Sequence, residues 1–137
     1  MKKEIWKYIP GFGKKYQVSN LGRMRRGKIR SNIRPPFSLL KGRIDKHGYP
    51  CVDIYLHEDG SFFRPRIHRL VLLAFRGRPQ KGQMSRHLND IKTDIRLENL
   101  CWGTKGDNHR DYYRNGGTRG FRNPKVLLKA LKTRGVL

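Results

Sequence analysis

Across residues 49–75, YPCVDIYLHEDGSFFRPRIHRLVLLAF, the spacing of apolar side chains changes from two residues to a mixture of three and four. Val52, Ile54 and Leu56 alternate along one side, which predicts a strand; Glu58-Asp59-Gly60 supplies a turn into a second strand near residues 61–66. Beyond it Ile67, Leu70, Val71, Ala74 and Phe75 follow the i, i+3, i+4, i+7, i+8 rule of a short amphipathic helix, which Gly77 and Pro79 end. A hairpin running directly into a helix calls for an α+β fold.

The flanking segments fit that class. Trp6, Tyr8, Tyr16 and Val18 lie between Pro/Gly and Ser-Asn turn signals, predicting a small N-terminal β unit. Arg23, Arg25, Arg26, Lys28, Arg30 and Arg34 crowd the stretch before Pro35-Pro36, which reads as a loop or linker that tracks phosphates. Residues 84–104 read as two short strands around a long polar loop. Thr104, with Asp107 three positions on, forms a capping box that starts a helix over Lys105–Arg114, and Gly116-Gly117 breaks it. Asn123 and Pro124 open a last candidate helix over residues 123–133, with Leu127, Ala130 and Leu131 on one face. The expected organisation is a β unit and basic linker over residues 1–34, a core over 35–115, and a basic tail over 116–137.

Charge narrows the partners. The 137 residues hold 32 Lys and Arg against 10 Asp and Glu, a formal charge of +22. A chain that neutralises phosphates gains affinity by counterion release, with a salt slope of roughly 0.9 log unit per contact on duplex DNA, so nucleic acid is the expected partner. No apolar run approaches the roughly 20 residues that span a bilayer, and the first residues lack an apolar segment with a cleavage site, so the expectation is a cytoplasmic protein without a membrane partner. Cys51 and Cys101 sit in apolar or aromatic runs and read as small buried thiols. Without a Cys-x-x-Cys pair, no structural zinc is expected.

The chemistry concentrates in SRHLNDIKTDIRLENLCWGTKGDNHRD, residues 85–111. His87 precedes the polar loop, Asn99 closes it, and Asn108 falls in the first turns of the capped helix, where Asp111 at i+3 shares its face. Phosphodiester hydrolysis needs a base that works near neutral pH, which an imidazole supplies, and a cation to offset the developing charge, for which Asn and Asp oxygens suit Mg2+. A lone histidine is ordinarily only a surface or packed residue; this spacing tips His87 towards catalysis. His68 reads as structural, packed or hydrogen-bonded, His47 and His57 as exposed, and Asp107 as no more than the capping partner.

These residues resemble the HNH nuclease motif, the ββα-metal or His-Me finger, as found in phage and intron-encoded homing endonucleases. RIHRLVLLAF is similar to the helix leading into it, and IWKYIPGFGKKYQVSNLGRMRR resembles a nuclease-associated modular domain often found ahead of such motifs. The resemblance implies a nuclease core with short flanking helices acting on double-stranded DNA with Mg2+ or Mn2+. His87 then matches the general base, Asn99 the residue that braces the loop, and Asn108 the metal ligand. At one position the pattern fails: several relatives carry a metal-binding Asp immediately before the catalytic His, and here it is Arg86. Either Asp111 or Asp90 helps Asn108 hold the ion, or activity is weakened or lost while DNA binding persists, and Arg86 could instead grip the scissile phosphate. A non-catalytic DNA-binding module and an RNA-binding protein are the competing classes. The chain is expected to act as a monomer or a homodimer, and a monomer with one finger would nick.

Overall fold

The computed structural model describes residues 3–28, 35–55 and 62–116, and within them short strands and two helices wrap one apolar core. Strand β1 (Trp6–Tyr8) pairs antiparallel with β2 (Tyr16–Ser19), which pairs antiparallel with β3 (Met24–Arg26). Alternation turns Val18 and Met24 inward, where both are buried beside Ile9. The tight turn between β2 and β3 places Gly22 at φ +87°, against Ile95 of a later loop, so closely that any Cβ would overlap the Ile95 side chain. Nearby, the Leu97 amide donates to the Asn20 carbonyl at 2.8 Å.

The central segment forms two small antiparallel pairs: β4 (Arg43–Ile44) with β5 (Pro50–Cys51), and β6 (Ile54–Tyr55) with β7 (Phe62–Phe63). The alternation of Val52 and Ile54 thus spans a break rather than one continuous strand. Asp53 sits at the break, where its carboxylate accepts from Arg43 and from Arg64 Nε, the latter at 2.6 Å. Val52 and Ile54 nevertheless both reach the core. The expected turn at 58–60, with Leu56 and His57, lies outside the described residues, as do Arg30 and the tail helix over 123–133.

Helix α1 (Ile67–Arg76) ends at Gly77, whose φ of +73° departs from helical geometry. Its burial is broader than the expected stripe: Ile67, Leu70 and Val71 are buried as expected, and so are His68 and Leu72, whereas Ala74 and Phe75 are only half-buried. The reason is its central position. The helix packs against β1, β2 and β5 on one side and against β8 (Met84–His87) and β9 (Leu100–Gly103) on the other. The core of Ile9, Val18, Met24, Val52, Ile54, Ile67, Leu70 and Leu100 is therefore shared between the N-terminal sheet and the rest. Cys51 is buried and Cys101 half-buried, both as free thiols. Helix α2 (Lys105–Arg114) follows β9 with the expected capping box: the Thr104 hydroxyl accepts from the Asp107 amide at 3.2 Å, and Asp107 Oδ2 accepts from the Thr104 amide at 2.9 Å. Among the described residues no helix is long and apolar enough to cross a membrane.

Candidate active site

Strands β8 and β9 pair antiparallel, with Ser85 opposite Trp102, Arg86 opposite Cys101 and His87 opposite Leu100. The loop from Leu88 to Arg96 connects them through a single 3-10 turn, Leu97–Asn99, and α2 packs back on β8. Strand, loop, strand and helix therefore bring His87, Asn99 and α2 into one small unit.

Asn99 is the tie of the loop. Its Nδ2 donates to Asn89 Oδ1 and to the Asp94 carbonyl, each at 2.9 Å, and its Oδ1 accepts from the Asn89 amide at 3.0 Å. Asn89 Nδ2 in turn donates to Asp94 Oδ2 at 2.8 Å, and its Oδ1 receives the Ile91 amide in an Asx turn. Arg96 pairs with Asp94, which together with Asn89 holds the Asp94 carboxyl down at about 2. The Asn99 amide closes this network by donating and accepting at once, which a carboxylate or an apolar side chain could not do.

Alternation along β8 sends Ser85 and His87 toward α1 and Arg86 toward α2. The His87 ring is buried against two other rings: its centroid lies 4.6 Å from that of His68 and 5.9 Å from that of Tyr49. Burial lowers the His87 pKa below its ordinary value, against the opposing pull of Asp90, Asp94 and the Lys92 backbone. Its Nε2 is buried with no partner among the described residues. His68 is pushed further, to about 3, first by burial and then by His87; its Nε2 meets the Ser85 hydroxyl at 2.9 Å. Tyr49 carries Arg66 over its ring at 4.0 Å and Lys92 at 5.0 Å, and Lys92 Nζ donates to the His47 carbonyl at 2.9 Å. The turn before β5 thereby holds the loop that follows His87.

On the other face, Arg86 Nε donates to Asp111 Oδ2 and Arg86 Nη2 to Asp111 Oδ1, both at 2.8 Å, with Asp111 fully buried. The expectations that Asp111 ligates an ion and that Arg86 contacts DNA phosphate meet this pair as an obstacle, because each side chain is committed to the other. Asp107 is likewise committed to its cap and to Arg110 at 3.4 Å. The half-buried Asn108 lies one turn before Asp111, and its side-chain amide makes no hydrogen bond among the described residues. Asp90 is exposed beside His87 in the left-handed region at φ +59°, and no salt bridge holds its carboxylate among the described residues. Asn108 and Asp90 each keep a side-chain oxygen that no hydrogen bond or salt bridge occupies among the described residues, and such oxygens are of the hard-donor type that suits Mg2+ or Mn2+. No group of three His, Cys, Asp or Glu that could hold a metal occurs among the described residues.

The basic N-terminal side chains also have internal partners. Arg23 pairs with Glu4, Arg25 is sandwiched between Trp6 at 4.2 Å and Phe37 at 4.9 Å while donating to Gln17, and Arg26 donates to Ser38 at 3.2 Å; Lys28 is exposed. Sequence reasoning passed over Tyr49, Lys92, Asn89 and Asp94. The Asn-Asp dipeptide at 89–90 carried a turn signal that could have found Asn89, but nothing local marks Tyr49 or Lys92.

Comparison with known proteins agrees with this architecture. Residues 4–55 match the NUMOD4 motif and residues 66–110 match the HNH endonuclease model. An uncharacterized HNH endonuclease of Acanthamoeba polyphaga mimivirus is 38% identical over 112 residues, covering 78% of this chain and 25% of that protein. The DNA endonuclease I-HmuI of Bacillus phage SP01 is 32% identical over 100 residues, covering 73% of this chain and 52% of its own length. This chain therefore spans a quarter of one relative and about half of the other. The solved structure of I-HmuI, described as DNA binding and cleavage by the HNH homing endonuclease, superposes with a TM-score of 0.66 at 28% identity, covering 96% of this chain and 68% of that one. The tandem match and the order of the elements agree: residues 66–110 form an HNH endonuclease domain, with a NUMOD4 motif ahead of it.

Proposed function

We propose that this chain is a divalent-metal-dependent DNA endonuclease in which His87 is the general base and Asn108 holds the cation. The observation that carries the reading is the setting of His87: burial holds its imidazole pKa below the ordinary value, and its Nε2 has no hydrogen-bond partner among the described residues. An unprotonated imidazole nitrogen takes a proton from a water that comes within hydrogen-bond reach of it. The cation, Mg2+ or Mn2+, would supply charge neutralisation at the phosphate and the leaving oxygen, held through Asn108 with Asp90 as the nearby uncommitted carboxylate. Asn99 keeps the loop closed around His87, while His68 and Tyr49 fix its ring plane. Among the DNA-binding side chains, Arg23, Arg25, Arg26 and Lys28, with Arg30 beyond them, hold phosphates of double-stranded DNA. One finger faces one strand, so a monomer nicks, and cutting both strands calls for a second copy. The relationship to I-HmuI supports DNA as the substrate.

A second reading, a DNA-binding protein with a silent finger, is favoured by one observation: Asp111 is paired to Arg86, which leaves the helix without a free buried carboxylate. Plasmid cleavage in Mg2+ or Mn2+, beside His87→Ala and Asn108→Ala and with DNA affinity measured in EDTA, separates the two. Nicking by the wild type that both variants lose, with affinity retained, is the expected result. A wild type that binds and never nicks in either ion sinks the enzyme reading.

A further inference from the structure

We propose that Arg86 and Asp111 are a positioning pair: their buried two-point contact, rather than a bound cation, sets helix α2 and hence Asn108 against the strand that carries His87. The inference uses the nuclease reading only for its turnover measurement.

Three features point to this. The contact is a fork on a fork, with two parallel bonds of 2.8 Å, and the Arg86 and Asp111 side chains are 17% and 2% exposed. A planar guanidinium meeting a carboxylate in this way fixes orientation as well as distance, which a lysine cannot do. Second, the pair joins the residue immediately before His87 to the residue one turn beyond Asn108. The residue after His87 is tied to the same helix, because Asn115 Nδ2 donates to the Leu88 carbonyl at 3.1 Å. Helix α2 is thus fastened to β8 on both sides of His87 while the His87 ring faces the other way. Third, β9 makes room for the arrangement. A Cβ on Gly103 would overlap Arg86 Cδ and stand 3.1 Å from both Arg86 Nε and Asp107 Oδ2.

A consequence follows for the metal. A carboxylate whose two oxygens each accept from the same guanidinium, with Arg114 a further 3.6 Å away, is not open to an ion unless the fork breaks. Helix α2 is therefore in place before any cation arrives. Where relatives that resemble this chain use an acid at this position as a ligand, Arg86 and Asp111 supply geometry and no net charge.

The test compares Arg86→Lys, Asp111→Asn, the exchanged pair Arg86→Asp with Asp111→Arg, and the apolar pair Arg86→Met with Asp111→Leu as a variant that keeps the volume filled. Three quantities are read: hydrogen exchange of α2 amides without metal, DNA affinity in EDTA, and kcat and KM for nicking. In the single variants, α2 amides should exchange about tenfold faster or more, and the exchanged pair should recover part of that protection. The same singles should lose about tenfold to a hundredfold in kcat at little change in KM, as expected for a misplaced group, and DNA affinity should stay within about twofold of wild type. A large loss of affinity in Arg86→Lys with α2 protection intact would make Arg86 a phosphate contact and overturn the proposal. So would Mn2+ binding, followed by calorimetry, that vanishes in Asp111→Asn and survives in Arg86→Lys, because Asp111 would then be a ligand. If the wild type does not nick at all, the exchange and affinity measurements still decide the pairing, so failure of the nuclease reading and failure of this one are distinguishable.

Discussion

The N-terminal sheet and the finger both commit arginines to internal partners, but on opposite sides of the solvent boundary. Arg23 is 56% exposed at its pair with Glu4, and Arg25 lies in an aromatic sandwich at the surface of the sheet. Arg86 meets a buried Asp111. An exposed pair contributes little, because water and salt compete for both partners. It can exchange a carboxylate for a phosphate at small cost. A buried pair cannot, because separating it leaves a desolvated charge without compensation. Equal entries in a count of basic residues are therefore unequal as DNA ligands, and burial decides which of them a polyanion can recruit.

The largest expected effect tests the buried side. Asp111→Ala leaves Arg86 uncompensated and should destabilise the protein by about 3–5 kcal/mol, measured by denaturant unfolding, whereas Glu4→Ala should cost a small fraction of that. Similar costs for the two would erase the distinction. The next effect tests the exposed side through DNA. If Arg23 trades Glu4 for a phosphate, Arg23→Gln should reduce the slope of log affinity against log salt by about one unit, and Arg86→Gln should leave the slope unchanged. The opposite ranking would place the DNA on the finger's arginine.

Protonation separates the same two regions. Burial holds His68 at about 3 against an ordinary 6.5, so the unfolded chain takes up a proton that the folded chain refuses. The stability that this neutral ring contributes is complete above pH 6.5 and drains as the pH falls from 6.5 toward 3. Glu4 is lowered from 4.5, chiefly by its bond to Arg23, so its smaller contribution disappears only below that pH. Unfolding free energy should therefore begin to decline near pH 6.5 in the wild type. His68→Gln, which retains a partner for Ser85, should be less stable at pH 8 and flatter between pH 6.5 and 5; an equal decline in both proteins would mean that His68 is not the group responsible.

Much of this was legible in the chain, and the parts that were not have physical reasons. The Thr104 and Asp107 capping box is local, three residues apart, and the helix starts where it predicts. The stripe of α1 was legible too, as was a structural place for His68, but not that Leu72 would also be buried, because that requires knowing that the helix is covered on two sides. The alternation at Val52 and Ile54 correctly gave the buried face and missed the break, which depends on Arg43 and Arg64 converging on Asp53. In the finger, the spacing of His87, Asn99 and Asn108 stood out because it is a pattern within one stretch. Tyr49 reaches His87 from far upstream, and Arg86 finds Asp111 only after β9 has turned the chain back. Side-chain types announce what a residue can do; tertiary neighbours decide which of those capacities remain free.

The smallest expected effect concerns His87, the proposed base, and separates burial from charge. Burial is the main cause that lowers the His87 pKa; the carboxylates of Asp90 and Asp94 and the backbone of Lys92 oppose it, and the Lys92 ammonium adds to it. A base must be unprotonated to act, so the acid limb of kcat/KM for nicking should lie below pH 6.5, with activity falling as the pH drops through the His87 pKa. Removing the Asp90 carboxylate with Asp90→Asn should move that limb to still lower pH, and Lys92→Met should move it upward. Because Asp90 is also open to a cation, the profile is measured at saturating Mg2+, where a change in ion affinity alters the half-saturating concentration and leaves the limb in place. An acid limb that stays fixed in both variants while His87→Ala abolishes nicking would assign the limb to another group, and with it the proton transfer.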